Sequence, residues 1–324
     1  MLDVGDPLRL RLVAKAPAAG DGRRGLENAG MPVALIDIGS NTARLLVATR
    51  VGAELVPLGE EKAFLALGEE ISRFGQLSER TLAETGKTAR RYAERARRLG
   101  CERLTVLVTA PGRTSKNAGE LVRRLSQATG VHVRVLSEEE EGTLAFAGAV
   151  ATAAQPFPGV VAVVDVGGGS SEIAIGEPAK GPAWIRSFPV GSLELTVRVL
   201  VEDPPGKHAL AAARADVEHR FHGFAPPLPH TALATGGSAR ALAKLVGRTL
   251  DADALAGALR LLAKRPSSAV AKAHGLDGGR ARTLAGGAVV LAEVQRRLGV
   301  PLEVARGGLR EGAALVLLDD LAAA

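Results

Sequence analysis

Short apolar runs that stop at glycine set the pattern of this chain. Residues 160–164 read VVAVV and run into Asp165, Gly167, Gly168 and Gly169. A short, mostly β-branched run before a glycine cluster predicts a strand buried on both faces. Ile173 and Ile175 resume an alternating pattern, so residues 160–176 predict strand, tight turn, strand. Three glycines in a row let the backbone turn sharply and bring its N–H groups close to an anion. Ser170 and Ser171 add hydroxyl donors, and Glu172 returns a carboxylate seven positions after Asp165. Residues 33–36, VALI, lead in the same way into Asp37, and DIGSNTARL (37–45) matches DVGGGSSEI (165–173) in register. Such a repeat predicts two similar halves facing each other across a cleft. The plainer alternative is that Asp-x-Gly is a common strand-end turn.

Between and after these hairpins, strand and helix patterns alternate, which predicts an α/β fold. Ser78 caps a helix through Leu99, with Leu82, Ala89, Tyr92, Ala96 and Leu99 on one face and Gly100 closing it. Inside it, Gly86-Lys87-Thr88 imitates the end of a Walker A loop, but Thr81 stands where that motif needs its first glycine. Strands are expected over residues 104–109, 131–136, 184–190 and 302–305, and helices over 193–200, 251–264, 278–298 and 312–321, with another beginning near Ser238. Residues 51–75 show no clear period. Residues 151–159, small and with two prolines, predict a hinge.

Composition narrows the class. At about 150 residues per domain, 324 residues predict two domains. Expected are a flexible leader over residues 1–30, a first domain over 31–150 with the terminal helix (312–324) packing back on it, and a second over 151–311. Only 3% of residues are aromatic, which argues against stacking platforms for single-stranded nucleic acid, and no nucleic-acid partner is expected. A net charge of +6 is compatible with a polyanionic partner, and equally with the arginine excess of a GC-rich genome. The single cysteine, Cys101, excludes an intrachain disulfide. No run approaches the roughly 18 apolar residues of a membrane span, and residues 8–16, LRLRLVAKA, are too charged for a signal peptide. A cytoplasmic protein without membrane association is expected.

Several polar residues stand where ligands bind. Arg113 follows the strand at 104–109, at a position that suits a ligand contact or a solvated surface arginine. Ser137 with Glu140 forms a capping box, which accounts for Glu138 to Glu140 and leaves Glu141 as a surplus acid on another side of the helix. His219 and His222 have the spacing of a metal pair, but no third ligand is near, and a solvated helix face explains them better.

Taken together, DIGSNTARL, VTAPGRTSKN (108–117), VLSEEEEGTLAFAG (135–148), DVGGGSSE and GGLREG (307–312) resemble the exopolyphosphatase / guanosine pentaphosphate phosphohydrolase (Ppx/GppA) family in order and separation. The resemblance implies two actin-like (ribonuclease H-like) domains with phosphate held between their hairpins. It also implies that the carboxylate before the small residue and the LxF segment, Glu141, is the general base, with Glu140 as fallback, and that Arg113 contacts phosphate. The chain has Pro111-Gly112 and Glu138 where the family more often has Ser-Ala and Gly.

Phosphoanhydride hydrolysis needs a positioned water, a base and positive charge on the transferring oxygens. Asp37, Asp165 and Glu172 are hard oxygen ligands suited to Mg²⁺, though turn capping also explains Asp37. Gly39, Ser40, Asn41 and Thr42 in one turn, and Gly167, Gly168, Gly169, Ser170 and Ser171 in the other, would donate to phosphate. Asn117 would add a contact, and Arg113 and Arg310 would neutralise charge. The reading is a Mg²⁺-dependent exopolyphosphatase acting on inorganic polyphosphate. The alternative is hydrolysis of guanosine pentaphosphate. More distant are an ATP-dependent kinase or ATPase, with adenosine near Gly236, and a non-catalytic polyphosphate sensor. A homodimer is left open.

Overall fold

The computed structural model describes residues 30–323, so the leader expected over 1–30 lies outside the described residues apart from Gly30. The first half runs β1 (Val33–Ile38), β2 (Thr42–Val51), β3 (Glu54–Phe64), α1 (Leu67–Phe74), α2 (Glu79–Arg98), β4 (Arg103–Val108), α3 (Ala110–Thr114), α4 (Ala118–Thr129), β5 (Val133–Val135) and α5 (Glu138–Ala151). The second runs β6 (Val161–Val166), β7 (Ser171–Glu177), β8 (Gly181–Phe188), α6 (Ser192–Arg198), α7 (Gly206–Arg220), β9 (Thr231–Thr235), α8 (Gly236–Val246), β10 (Thr249–Leu250), α9 (Ala252–Leu262), α10 (Ser267–His274), α11 (Gly278–Leu298), β11 (Leu302–Val304) and α12 (Leu309–Ala323).

The repeat read in the sequence is a repeat of topology. One sheet has the order β3-β2-β1-β4-β5; the other, read from its far edge, is β8-β7-β6-β9-β11, with β10 added outside. In each, a hairpin of three antiparallel strands is followed by strands parallel to the first. These are two α/β halves of the actin-like arrangement facing across a cleft.

Both sheets are covered on both faces, which is why their central strands read as unbroken apolar runs. On one face, Ile36, Ile38 and Val106 pack with Tyr92 of α2 and Leu121 of α4. In the second half, Val164 and Ile173 share a core with Phe221 and Leu291, where Phe188 stacks on Phe221 at 3.9 Å between ring centres. The opposite faces are covered by two crossing helices. Phe146 of α5 packs on Val161 and Val163, while Ala314 and Leu318 of α12 pack on Val33 and Leu46. Where α5 and α12 meet, a side chain at Gly148 would collide with the Gly308 carbonyl, and one at Gly312 with that of Leu144. Only glycine permits so close an approach of two backbones.

Several elements differ from expectation. Residues 110–114, given no element from the sequence, form a short helix with Pro111 in its first turn, where its missing N–H costs nothing. The unpatterned stretch 51–75 holds β3 and α1; β3 is an edge strand exposed along much of its length, so it carries no clean period. Helix α12 begins at Leu309, which puts Arg310 and Glu311 in its first turn rather than in a loop. Gly86-Lys87-Thr88 lies within α2 and forms no phosphate loop. Among the described residues no helix is long and apolar enough to cross a membrane.

Candidate active site

The two hairpin tips touch. Gly39 N–H closes the β1–β2 turn on the Thr42 carbonyl at 3.0 Å, and Gly167 N–H closes the β6–β7 turn on that of Ser170 at 3.0 Å. A methyl group on Gly168 would stand 3.1 Å from Ser40 Cβ and 3.3 Å from Asn41 Cβ. The start of α6 orients the glycine turn: Ser192 N–H donates to the Gly167 carbonyl, and the N–H groups of Leu193 and Glu194 to that of Gly168, each at 2.9 Å. Because a trans peptide sets C=O and N–H in opposite directions, the Gly168 and Gly169 N–H groups point away from α6. Beside this turn Asn41 is buried, and both its amide atoms lack a partner. Buried polar atoms are normally paired, so this amide is set for a ligand.

The same cavity gathers Asp37, Gly39, Ser40, Asn41 and Thr42 from one tip and Asp165, Gly167, Gly168, Gly169, Ser170 and Glu172 from the other, with Glu141 and Arg310. Its space open to a water-sized sphere is about 120 Å³. The repeat shows a swap of charge. Asp37 pairs across its hairpin with Arg44, and Asp165 pairs across its own with Glu172. Burial pushes the Asp37 carboxyl up to about 6, opposed by Arg310 and Arg44. Burial also pushes Glu172 up to about 7, against hydrogen bonds from Ser170 and from Ser187, whose Oγ donates at 3.0 Å. Asp165 is raised by burial as well. Across from them, burial and the neighbouring Arg310 and Arg240 lower Arg44 to about 10.

Local sequence also separates Glu140 from Glu141. Ser137 and Glu140 form the expected capping box, and Glu140 further accepts from Arg134 at 2.6 Å. Glu141, one position on, turns into the cavity and is only 7% exposed. Burial, then the nearby Glu172 carboxylate, raises its pKa well above the ordinary range.

Three expected ligands are engaged within the protein. Arg113 does not line the cavity: it donates to the Leu136 carbonyl at 2.6 Å and to Glu141, so it holds that carboxylate in place. Asn117 spends its amide on Leu77, accepting from its N–H at 3.0 Å and donating to its carbonyl at 2.8 Å, and so ties α4 to the approach to α2. Ser171 is fully buried and donates to the Val190 carbonyl at 2.6 Å. Asp37, Asp165 and Glu172 all line the cavity; among the described residues no three Asp, Glu, His or Cys side chains are grouped to hold one ion between them.

The cavity contains residues to which sequence reading gave no role in the site, Arg44, Thr109, Arg240 and Arg280, and Gly236, Gly237 and Glu311 line it as well. Arg44 had a signal, because it follows Asp37 by the interval that separates Asp165 from Glu172. Gly236 (φ +82°) lets the Asp165 carboxylate sit against it. Arg280 had no local signal; it fills the space beside Gly237 and donates to Ser238 Oγ at 3.2 Å from a different helix. The result is a cavity in which backbone N–H groups, hydroxyls and guanidinium groups face carboxylates.

Known proteins share this architecture. The exopolyphosphatase 1 of Mycobacterium tuberculosis is 29% identical over 308 residues, covering 90% of this chain and 89% of that one. The exopolyphosphatase 2 of the same organism is 30% identical over 298 residues, covering 82% and 90%. The crystal structure of the Aquifex aeolicus Ppx/GppA family member superposes with a TM-score of 0.75 at 27% identity, covering 90% of this chain and 98% of that one. The sequence profile of the Ppx/GppA phosphatase family matches residues 46–321, and the chain belongs to that family of phosphatases.

Proposed function

We propose that this protein is a cytoplasmic, Mg²⁺-dependent exopolyphosphatase that removes orthophosphate from the end of inorganic polyphosphate. The observation that carries the reading is the meeting of the two hairpin tips around the unpaired Asn41 amide. The relatives named as exopolyphosphatases support the choice of substrate. The cavity, about 120 Å³ against roughly 300 Å³ or more for pockets that enclose whole organic ligands, suits a terminal phosphoryl group, which polyphosphate and guanosine pentaphosphate both present. Arg280 lies against Gly237, where adenosine would have to enter for an ATPase. We assign residues 31–150 with the terminal helix to one lobe and 151–311 to the other, with α5 at the end of the first stretch crossing over to pack on the second sheet.

In this reading the N–H groups of Gly168 and Gly169, the Ser40, Thr42 and Ser170 hydroxyls and the Asn41 amide bind the terminal phosphoryl oxygens. Arg44 and Arg310 add positive charge. Glu141 takes a proton from a water whose oxygen bonds to the terminal phosphorus. The bridging P–O bond breaks, and its electron pair stays on the oxygen that becomes the new chain end. Arg113 orients Glu141, and burial with the nearby Glu172 carboxylate raises the pKa of Glu141 above the ordinary carboxylate range, the direction that strengthens a base. The buried carboxylates fit a divalent cation, since each is disfavoured in charged form without one. Asp37 and Asp165, with Glu172 nearby, would hold Mg²⁺, which commonly takes one or two carboxylates and completes its shell with water and phosphate oxygens. Bound there, it would neutralise charge on the transferring group.

Phosphate release from polyphosphate, guanosine pentaphosphate and ATP, assayed side by side with Mg²⁺ varied, tests this function. Polyphosphate is expected to give the highest kcat/KM, with release lost on chelation. A preference for guanosine pentaphosphate, or turnover of ATP alone, would overturn the assignment.

A further inference from the structure

A second groove lies on the outer face of the first half, between α2 and α4. Leu82 and Gly86 form part of its lining, and Lys87, Arg90, Arg123 and Arg124 bring four cations to it, with no carboxylate in the lining. The space open to a water-sized sphere is about 420 Å³. Lys87 and Arg90, three positions apart on α2, share a face of that helix. Both are exposed, and among the described residues neither makes an ion pair. On the facing helix, Arg123 and Arg124 are braced by Glu120, each at 2.6 Å, and Arg124 also meets Glu79 at 2.5 Å. Four cations thus face one groove with two carboxylates on its rim. The groove includes Gly86 and Lys87, which the catalytic cleft leaves unused.

An unbalanced row of cations destabilises the helices that carry it and attracts an anion with closely repeated charge. No aromatic side chain lines the groove, so bases of single-stranded nucleic acid would find nothing to stack on; a polymer of phosphate alone needs no such platform. The groove is also joined to the cleft through one stretch of chain. Arg113 on α3 holds Glu141, α4 follows directly, and Arg123 and Arg124 lie about 8–9 Å along it at 1.5 Å per residue from Ala118.

We propose that the α2–α4 groove is a second binding site for long-chain inorganic polyphosphate, holding a distal stretch of a polymer whose end lies in the cleft. This rests on the exopolyphosphatase reading of the cleft. The groove binds by charge, so its contribution grows with chain length and fades with salt.

Steady-state phosphate release by a Lys87→Glu/Arg90→Glu variant, on long-chain polyphosphate and on tripolyphosphate, tests it. The expected result is a KM for the long chain raised about tenfold, a salt dependence of log KM shallower by about 1–2, and unchanged tripolyphosphate kinetics. A Lys87→Gln/Arg90→Gln variant should shift KM in the same direction by less. An unchanged KM for the long chain, or an equal loss on both substrates, would overturn the proposal. Calorimetric titration of long-chain polyphosphate into wild type and variant separates it from the cleft's chemistry. If wild type releases no phosphate from any polyphosphate, the exopolyphosphatase reading fails; weaker binding by the variant still supports the groove, and equal binding rejects it.

Discussion

Glu141→Gln is expected to lower polyphosphate turnover by about 10²–10⁴-fold, the usual contribution of a positioned general base, with little change in KM. The substitution keeps the shape of the side chain and an oxygen that can accept from Arg113, so the loss would come from the missing proton acceptor. Glu140→Gln makes the contrast. Its carboxylate is committed to the Ser137 N–H and to Arg134, so its removal should weaken the helix cap and leave turnover within a few-fold of wild type. Steady-state phosphate release checks both, and near wild-type turnover by Glu141→Gln would reject the base.

Asp37→Asn should abolish most activity and yet stabilise the protein in the absence of divalent cations at neutral pH. Folding raises the Asp37 carboxyl from 3.8 to about 6, so between those values the folded state binds more protons than the unfolded one. Stability attributable to this group is therefore present at low pH and is lost as pH rises toward and through 6. A shift of about two units corresponds to roughly 3 kcal/mol at pH 7 as an upper figure. Asparagine removes that pH-dependent cost. Urea denaturation in chelator should show the variant ahead of wild type at pH 7, with the gap closing toward pH 4. Added Mg²⁺ should stabilise wild type more than the variant. Equal pH dependence of the two proteins would contradict the burial account, and a fall in activity of less than about tenfold would contradict the role given to Asp37.

What could be read in advance follows from the range of the forces involved. Strand, glycine turn and strand are local patterns, and so is the capping box; the first located both hairpin tips, and the second isolated Glu141. Helix α11 was legible because Asp277 caps it at one end and Gly299 closes it at the other. Asn117 could not be assigned, because its partner Leu77 is 40 positions away and nothing near Asn117 signals that bond. Arg113 was placed at the right end of the right strand, and nothing near it in sequence signals its bond to Glu141, 28 positions on. Arg240 and Arg280 face the cleft from helices whose sequences look ordinary on their own. Strand β3, exposed at its edge, has little apolar burial to impose a period.

Water activated by Glu141 and directed at the terminal phosphorus is the claim on which the rest depends, and hydrolysis in ¹⁸O-labelled water with mass analysis of the products tests it most directly. The account predicts one labelled oxygen in each orthophosphate released and none in the shortened chain. Label on the new chain end, or fragments longer than one phosphate among the first products, would contradict it.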